Sequence, residues 1–215
     1  MKSYTKGIAL ILEGATELVF YEEFLLNLSN KNNFNISKET DEETFQEFYE
    51  VKTSNNYLSI KLNNVGTITQ ITNQGEWFKN NCYRKHKTQW KVFLCYDTDS
   101  PNRDVSKFNE GDWKRLKDEL LLYGTNVVDL AASYDIEDVL LTDLENVLKF
   151  LKLPKDTKIP SGKSGKSKMK KLFRLAGKPY HEGERSRELI KSLNFQTIID
   201  NSPEIPFAEL LKEIE

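Results

Sequence analysis

Ile8-Ala9-Leu10-Ile11-Leu12-Glu13-Gly14-Ala15-Thr16-Glu17 decides how this chain folds. Five apolar residues run into a carboxylate, a glycine, a threonine and a second carboxylate, and a helical pattern begins after them. No polar residue alternates with the apolar ones, so the run predicts a short strand covered on both faces, as in a parallel sheet. Far downstream, Val92-Phe93-Leu94-Cys95-Tyr96-Asp97-Thr98-Asp99 repeats the device, an apolar strand ending on two aspartates spaced i, i+2. On an extended strand end that spacing sends both aspartates to one side and Thr98 to the other. Acids on two strand ends, with Glu17 at the next helix start, predict a divalent-metal site where the ends meet.

Outward from these strands the chain alternates. Gly14 permits a sharp exit from the strand at 6–12, and Thr16 suits the N-cap of the following helix. Leu18, Tyr21, Phe24 or Leu25, and Leu28 recur at helical steps until the Asn-rich stretch at 27–35. Residues 38–50 are acidic and weakly patterned, and read as an exposed loop or short helix. A second strand is expected at 57–62, a helix weakened by Gly75 at 67–83, and a third strand at 90–96. A helix marked by Trp113, Leu116, Leu120 and Tyr123 and a fourth strand at 125–130 follow. Ala131-Ala132-Ser133-Tyr134-Asp135-Ile136-Glu137-Asp138 closes that strand and opens a helix with Leu140, Leu144, Val147 and Leu151 on one face. Such alternation predicts an α/β fold with a mostly parallel sheet flanked by helices. In such sheets ligands bind at the carboxyl ends of the strands. From Leu153 the texture changes to a loop between Pro154 and Pro160, a Gly/Ser/Lys run at 161–171, and short helices near 169–176, 185–193 and 207–214. The expected division is an α/β domain over residues 1–152 with a basic helical extension over 153–215 packed on it.

At 215 residues and 38% hydrophobic content the chain can bury a proper core. No apolar stretch nears the roughly 18–20 residues of a membrane span, and the run after Lys6 ends too soon for a signal peptide. Cys82 and Cys95 have neither metal-ligand nor disulfide spacing, so a reducing cytoplasm is the expected setting. The net charge of -2 names no partner, but it conceals an asymmetry. Residues 1–60 hold ten acids against five Lys/Arg, and residues 152–191 hold thirteen Lys/Arg against four acids, a net of -5 beside a net of +9. A basic segment in an otherwise acidic protein offers a polyanion contact; a solvated lysine-rich surface has the same composition. His86 and His181 stand alone in polar surroundings and read as surface residues.

Hard cations such as Mg²⁺ take oxygen ligands and only a few carboxylates, leaving positions for water and substrate phosphate. Glu13, Asp97 and Asp99 fit that demand, and Glu17 and Glu137 suit a second metal. Each also has a plainer reading. Glu17 suits the positive end of a helix dipole, Asp99 before Ser100-Pro101 suits a turn, and Glu137 is a first-turn acid that Asp135 or Asp138 could replace.

Taken together, Glu13-Gly14-Ala15-Thr16-Glu17, Asp97-Thr98-Asp99 and Ser133-Tyr134-Asp135-Ile136-Glu137 resemble the three signatures of a TOPRIM domain. Topoisomerases, bacterial primases, small nucleases and nucleases of the overcoming-lysogenization-defect type share that domain. The E-G-x-T-E and S-x-x-x-E forms are most similar to compact TOPRIM-like proteins of the RloB kind, often found in bacterial anti-phage or restriction-linked settings. The resemblance spans residues 6–145 and implies a Rossmann-like TOPRIM sheet acting as a nuclease dependent on Mg²⁺ or Mn²⁺. By resemblance, Glu13 binds metal and serves acid–base chemistry, Asp97 and Asp99 hold Mg²⁺, and Glu17 and Glu137 help with a second metal. Gly14, Thr16 and Ser133 are supporting positions. The implied substrate is nucleic acid, DNA ahead of RNA. No topoisomerase tyrosine domain, primase zinc domain or ATPase half is recognisable in the chain, so a partner ATPase or defence protein belongs to the expectation.

Ser161-Gly162-Lys163-Ser164-Gly165-Lys166-Ser167 invites a phosphate-loop reading, but the required upstream glycine is missing and no strand precedes it. A nucleic-acid backbone contact through Lys163, Lys166, Lys168, Lys170, Lys171 and Arg174 suits the run better, one lysine offsetting transition-state charge. Tyr180 and Arg185 flank His181 and could join that face. Two rival functions share some of these features. A haloacid-dehalogenase-like phosphatase also ends an apolar strand in D-x-D, with the first Asp as nucleophile, but leaves Glu13 without a role. A non-catalytic module of the same fold would bind nucleic acid or a partner and cleave nothing.

Overall fold

A computed structural model describes residues 3–32, 34–98 and 110–215. Asp99 lies outside the described residues, so the aspartate pair is seen through Asp97 alone. Strand β1 (Lys6–Leu12) lies inside a six-stranded sheet of order β2-β3-β4-β1-β5-β6. The others are β2 (Asn35–Thr40), β3 (Glu47–Lys52), β4 (Tyr57–Asn64), β5 (Gln89–Asp97) and β6 (Asn126–Ala132). β4, β1, β5 and β6 run parallel, and β2 and β3 form an antiparallel flank on β4. The register sets Leu12 beside Cys95 and Asp97 beside Ala132. The carboxyl ends of β1, β5 and β6 therefore share one edge, as the sequence predicts. The architecture is α/β and Rossmann-like.

Alternate residues of β1 enter two different cores. Ile8, Leu10 and Leu12 pack with α1 (Ala15–Asn32), while Ala9 and Ile11 face α2 (Ile68–Ile71), α3 (Gly75–Phe78) and α4 (Glu110–Leu121). This two-sided burial is why the strand carries no polar alternation. The α1 face is completed by α5 (Ile136–Leu140), α6 (Leu144–Leu151), α7 (Gly165–Leu175), α8 (Arg187–Lys191), α9 (Phe195–Asn201) and α10 (Phe207–Ile214). Phe20 and Phe24 of α1 meet Phe195 and Phe207 at 5.5 to 6.1 Å between ring centroids. Each such buried side chain contributes about 1.5–3 kcal/mol, so the helices after residue 153 are built into the core that also holds β1. Among the described residues no helix is long and apolar enough to cross a membrane.

Three local expectations need correction. The stretch expected as a loop or short helix at 38–50 is a β-hairpin, with Phe48, Tyr49, Glu50 and Val51 of β3 all buried. Its acids misled because Glu50 is satisfied from afar by the hydroxyls of Tyr4 and Tyr57. The helix expected at 67–83 is broken into α2, α3 and a π turn over Lys79–Tyr83. Gly75 is where α3 presses on α4, since a Cβ there would lie 2.2 Å from a Glu119 carboxylate oxygen. The third correction concerns His86, which is no surface residue. Its ring stacks on Trp90 and leans on Tyr4, and Nδ1 lies 2.8 Å from the Ser59 hydroxyl. His181 is exposed, as expected.

Burial, aided by the neighbouring Lys61, lowers the His86 pKa to about 4. The unfolded chain takes up that proton near pH 6.5. The fold holds the neutral ring, so its contribution is complete above pH 6.5 and is lost as pH falls toward 4. We expect the urea midpoint of wild type to fall over that window relative to His86→Asn. Parallel profiles for the two proteins would show that the ring is hydrated in solution.

Candidate metal centre

Glu13 directly follows β1, and its backbone N–H donates to Cys95 O at 2.9 Å, continuing the β1–β5 ladder by one residue. Its side chain reaches across the same seam, where Oε2 accepts the Asp97 N–H at 2.9 Å. The chain then turns at Gly14 into α1, whose first α-helical bond runs from Leu18 N–H to Gly14 O. Gly14, rather than Thr16, therefore holds the capping position. Glu17 falls in the first turn of α1 and is 6% exposed. One carboxylate oxygen from each of Glu13, Glu17 and Asp97 lies within 4.8 Å of the others. Glu137, in the first turn of α5, opens onto the same cleft of about 300 Å³ and is itself buried.

Four carboxylates in one partly dry cleft repel each other and lose solvation together. Burial, with Glu17 and Glu13 beside it, pushes Asp97 up to about 10. Glu17 rises to about 8 through burial and its neighbours Glu13 and Glu137, despite a backbone hydrogen bond that favours its charge. Glu137 rises to about 7, again chiefly through burial, with Tyr180 opposing. The Oδ1 atom of Asp97 is buried and has no hydrogen-bond partner among the described residues. A buried charged oxygen without a donor is costly, and a cation held by Glu13, Glu17 and Asp97 would offset that cost. All the donors are carboxylate oxygens, which fits Mg²⁺ or Mn²⁺ and not a metal that selects nitrogen or sulfur.

The remaining predicted positions separate. Thr16 does not cap α1; its Oγ1 accepts the Gly183 N–H at 3.0 Å and so binds the C-terminal segment to the rim. Thr98, expected to face away from the acids, is buried with Oγ1 accepting the Tyr134 N–H at 3.2 Å, which links the β5 and β6 ends. Tyr134 takes a left-handed turn, φ 65°, to bring the chain from β6 into α5. Ser133 is half-buried in that turn and is not among the residues lining the cleft. Asp135 is an N-cap, accepting the Asp138 N–H at 3.0 Å, and also accepts the Lys166 N–H at 3.1 Å.

The basic run behaves unevenly. Ser164 caps α7 through a capping box, so the Gly/Ser/Lys stretch is a helix start and no phosphate loop. Lys166 lines the acidic cleft and donates to Glu182 at 2.6 Å, a pairing that raises its pKa. Lys168 pairs with Asp138 at 2.7 Å, and Lys171 donates to Ser161 O at 2.5 Å. Lys163, Lys170 and Arg174 are exposed. Sequence reasoning set Tyr180 on the basic face and missed its role, for its hydroxyl donates to Glu137 Oε1 at 2.8 Å. It equally missed Gly165, whose N–H donates to Asp138 Oδ2 at 2.8 Å. Neither sits in a pattern that spacing could reveal, because their partners lie 43 and 27 residues away.

The fold and this cluster define an α/β protein with a carboxylate centre at its strand ends. No protein-family model and no curated protein matches the chain.

Proposed function

We propose that this protein is a TOPRIM-type nuclease, dependent on Mg²⁺ or Mn²⁺, that hydrolyses phosphodiester bonds in nucleic acid, DNA ahead of RNA. The observation that carries the reading is the meeting of Glu13, Glu17 and Asp97, with one Asp97 oxygen buried and unpaired among the described residues. Glu13, Glu17 and Asp97 would hold the cation, and Glu137 adds a carboxylate for a second. When bound, such a cation lowers the pKa of water and offsets charge on the phosphate. Glu13 is the base we assign to the attacking water, since its attachment to the Asp97 N–H fixes the carboxylate over the cleft. Lys166, on the cleft wall, is the cation we assign to the phosphate. A role in bacterial anti-phage or mobile-element defence, with a partner ATPase, and a cytoplasmic setting rest on the resemblance and the cysteine usage alone.

Cleavage of supercoiled, linear and single-stranded DNA and of RNA, with Mg²⁺ or Mn²⁺, tests the proposal. Wild type is expected to cut with metal and to be silent with chelator, and Asp97→Ala and Glu13→Gln to be silent throughout. Binding without any cleavage would replace the nuclease with a binding module, and phosphate trapped on Asp97 would replace it with a phosphatase.

The exposed cations of α7 give a separate expectation. Lys170→Ala combined with Arg174→Ala should weaken DNA binding and reduce the slope of log K against log salt by about 0.9 for each phosphate no longer neutralised. An unchanged slope would remove α7 from the binding face.

A further inference from the structure

The C-terminal segment reaches the acid cluster through a buried phenol. Tyr180 is 9% exposed, its ring rests on Phe173 at 5.1 Å between centroids, and its hydroxyl donates to Glu137 Oε1 at 2.8 Å. Glu137 stands in the first turn of α5, Ile136–Leu140, and is 3% exposed. With Oε1 committed to the phenol, Oε2 is the oxygen that Glu137 has to offer a cation. The same segment is tied to the strand ends at two further points. The Gly183 N–H donates to Thr16 Oγ1 at 3.0 Å, and the Lys166 N–H to Asp135 Oδ2 at 3.1 Å. Tyr180 lies in the chain between these two ties.

We propose that Tyr180 is a positioning residue, which orients Glu137 as a ligand of the metal centre and makes residues 164–186 part of that centre. This rests on the metal-site reading above. A donor behind a metal-ligating carboxylate is worth about 10–100-fold in metal affinity. The phenol suits that task because its hydroxyl donates to Glu137 Oε1 at 2.8 Å while its ring is seated against Phe173.

The test is Mn²⁺ binding to the full-length protein, followed by electron paramagnetic resonance, in wild type, Asp97→Asn, Tyr180→Phe, Glu137→Gln and the double variant of the last two. Tyr180→Phe keeps the ring and removes only the hydroxyl. Its Mn²⁺ midpoint is expected to rise about 10-fold or more, Glu137→Gln to shift it comparably, and the double variant to add little beyond either. No saturable binding by wild type, or full binding by Asp97→Asn, would bring down the metal reading itself. Binding by wild type that Asp97→Asn abolishes and Tyr180→Phe leaves unchanged would overturn the positioning role alone. A lowered melting temperature for Tyr180→Phe at an unshifted Mn²⁺ midpoint would overturn it too, since it would mark the hydroxyl as purely structural.

Discussion

Asp97→Asn is expected to abolish cleavage and, without divalent metal, to melt higher than wild type. The two effects have one cause. Asp97 carries a carboxylate whose pKa is raised to about 10 by burial and by Glu17 and Glu13, and its Oδ1 has no donor among the described residues. A carboxyl raised above its unfolded value near 3.9 favours the fold while protonated and disfavours it once ionised. The penalty is absent below about pH 4 and grows up to about pH 10. Near pH 7.5 the metal-free wild type carries that strain, and asparagine, of the same shape, removes it. The gain is on the order of 2 kcal/mol, or about 4–8 °C in melting temperature for a chain of this size. It should vanish when the comparison is repeated near pH 4. Saturating Mg²⁺ should reverse the order, because a ligand that binds only the folded wild type stabilises it by mass action. Activity should fall by about 10²–10³-fold or more. The readout is a pair of melting curves with and without Mg²⁺ beside the cleavage assay. An Asn variant that melts lower at pH 7.5, with no Mg²⁺ response in wild type, would mean that Asp97 is an ordinary structural acid.

The same physics explains what could be read ahead of the structure. β1 and β5 were legible because strands covered on both faces leave an unbroken apolar run, and an acid at the end of such a run marks the sheet edge. Glu13 and Asp97 followed from that mark, and so did the α/β class. The β2–β3 hairpin stayed hidden because its buried acid, Glu50, looks exposed in sequence until the Tyr4 and Tyr57 hydroxyls are brought to it. His86 was hidden for the same reason, since Tyr4 and Ser59 are brought to it only by the fold. Thr16 looked like a cap by position, and only the fold brings Gly183 within 3.0 Å of it. What the order of the strands brings together could be inferred; a side chain's single partner from another part of the fold could not.

Gly165→Ala is expected to destabilise the protein although it should do the opposite on helix propensity. Gly165 is the first residue of α7, and alanine in place of glycine favours an ordinary helix by up to about 1 kcal/mol. Here a Cβ would sit 2.1 Å from the Asp138 N, 2.4 Å from Asp135 Oδ1 and 2.6 Å from the Glu137 carbonyl carbon. Two of those atoms are backbone of α5, so no side-chain rotation relieves the overlap and α7 must move away. Movement stretches the Gly165 N–H to Asp138 and Lys166 N–H to Asp135 bonds. Each is charge-assisted and worth about 1.5–3 kcal/mol, while overpacking itself costs about 1–3 kcal/mol. The propensity gain is smaller than either, so a net loss of about 2 kcal/mol or more is expected. Ser164→Ala is the control: it removes the cap alone, costs about 1 kcal/mol, and leaves α7 seated. Displacement of α7 also carries Lys166 off the cleft wall and loosens α5 beneath Glu137. Cleavage per folded molecule should therefore fall in Gly165→Ala and hold in Ser164→Ala. Urea midpoints for both variants, with activity normalised to the folded fraction, decide the matter. A Gly165→Ala protein more stable than wild type would mean that the α5–α7 contact is looser in solution than these distances require.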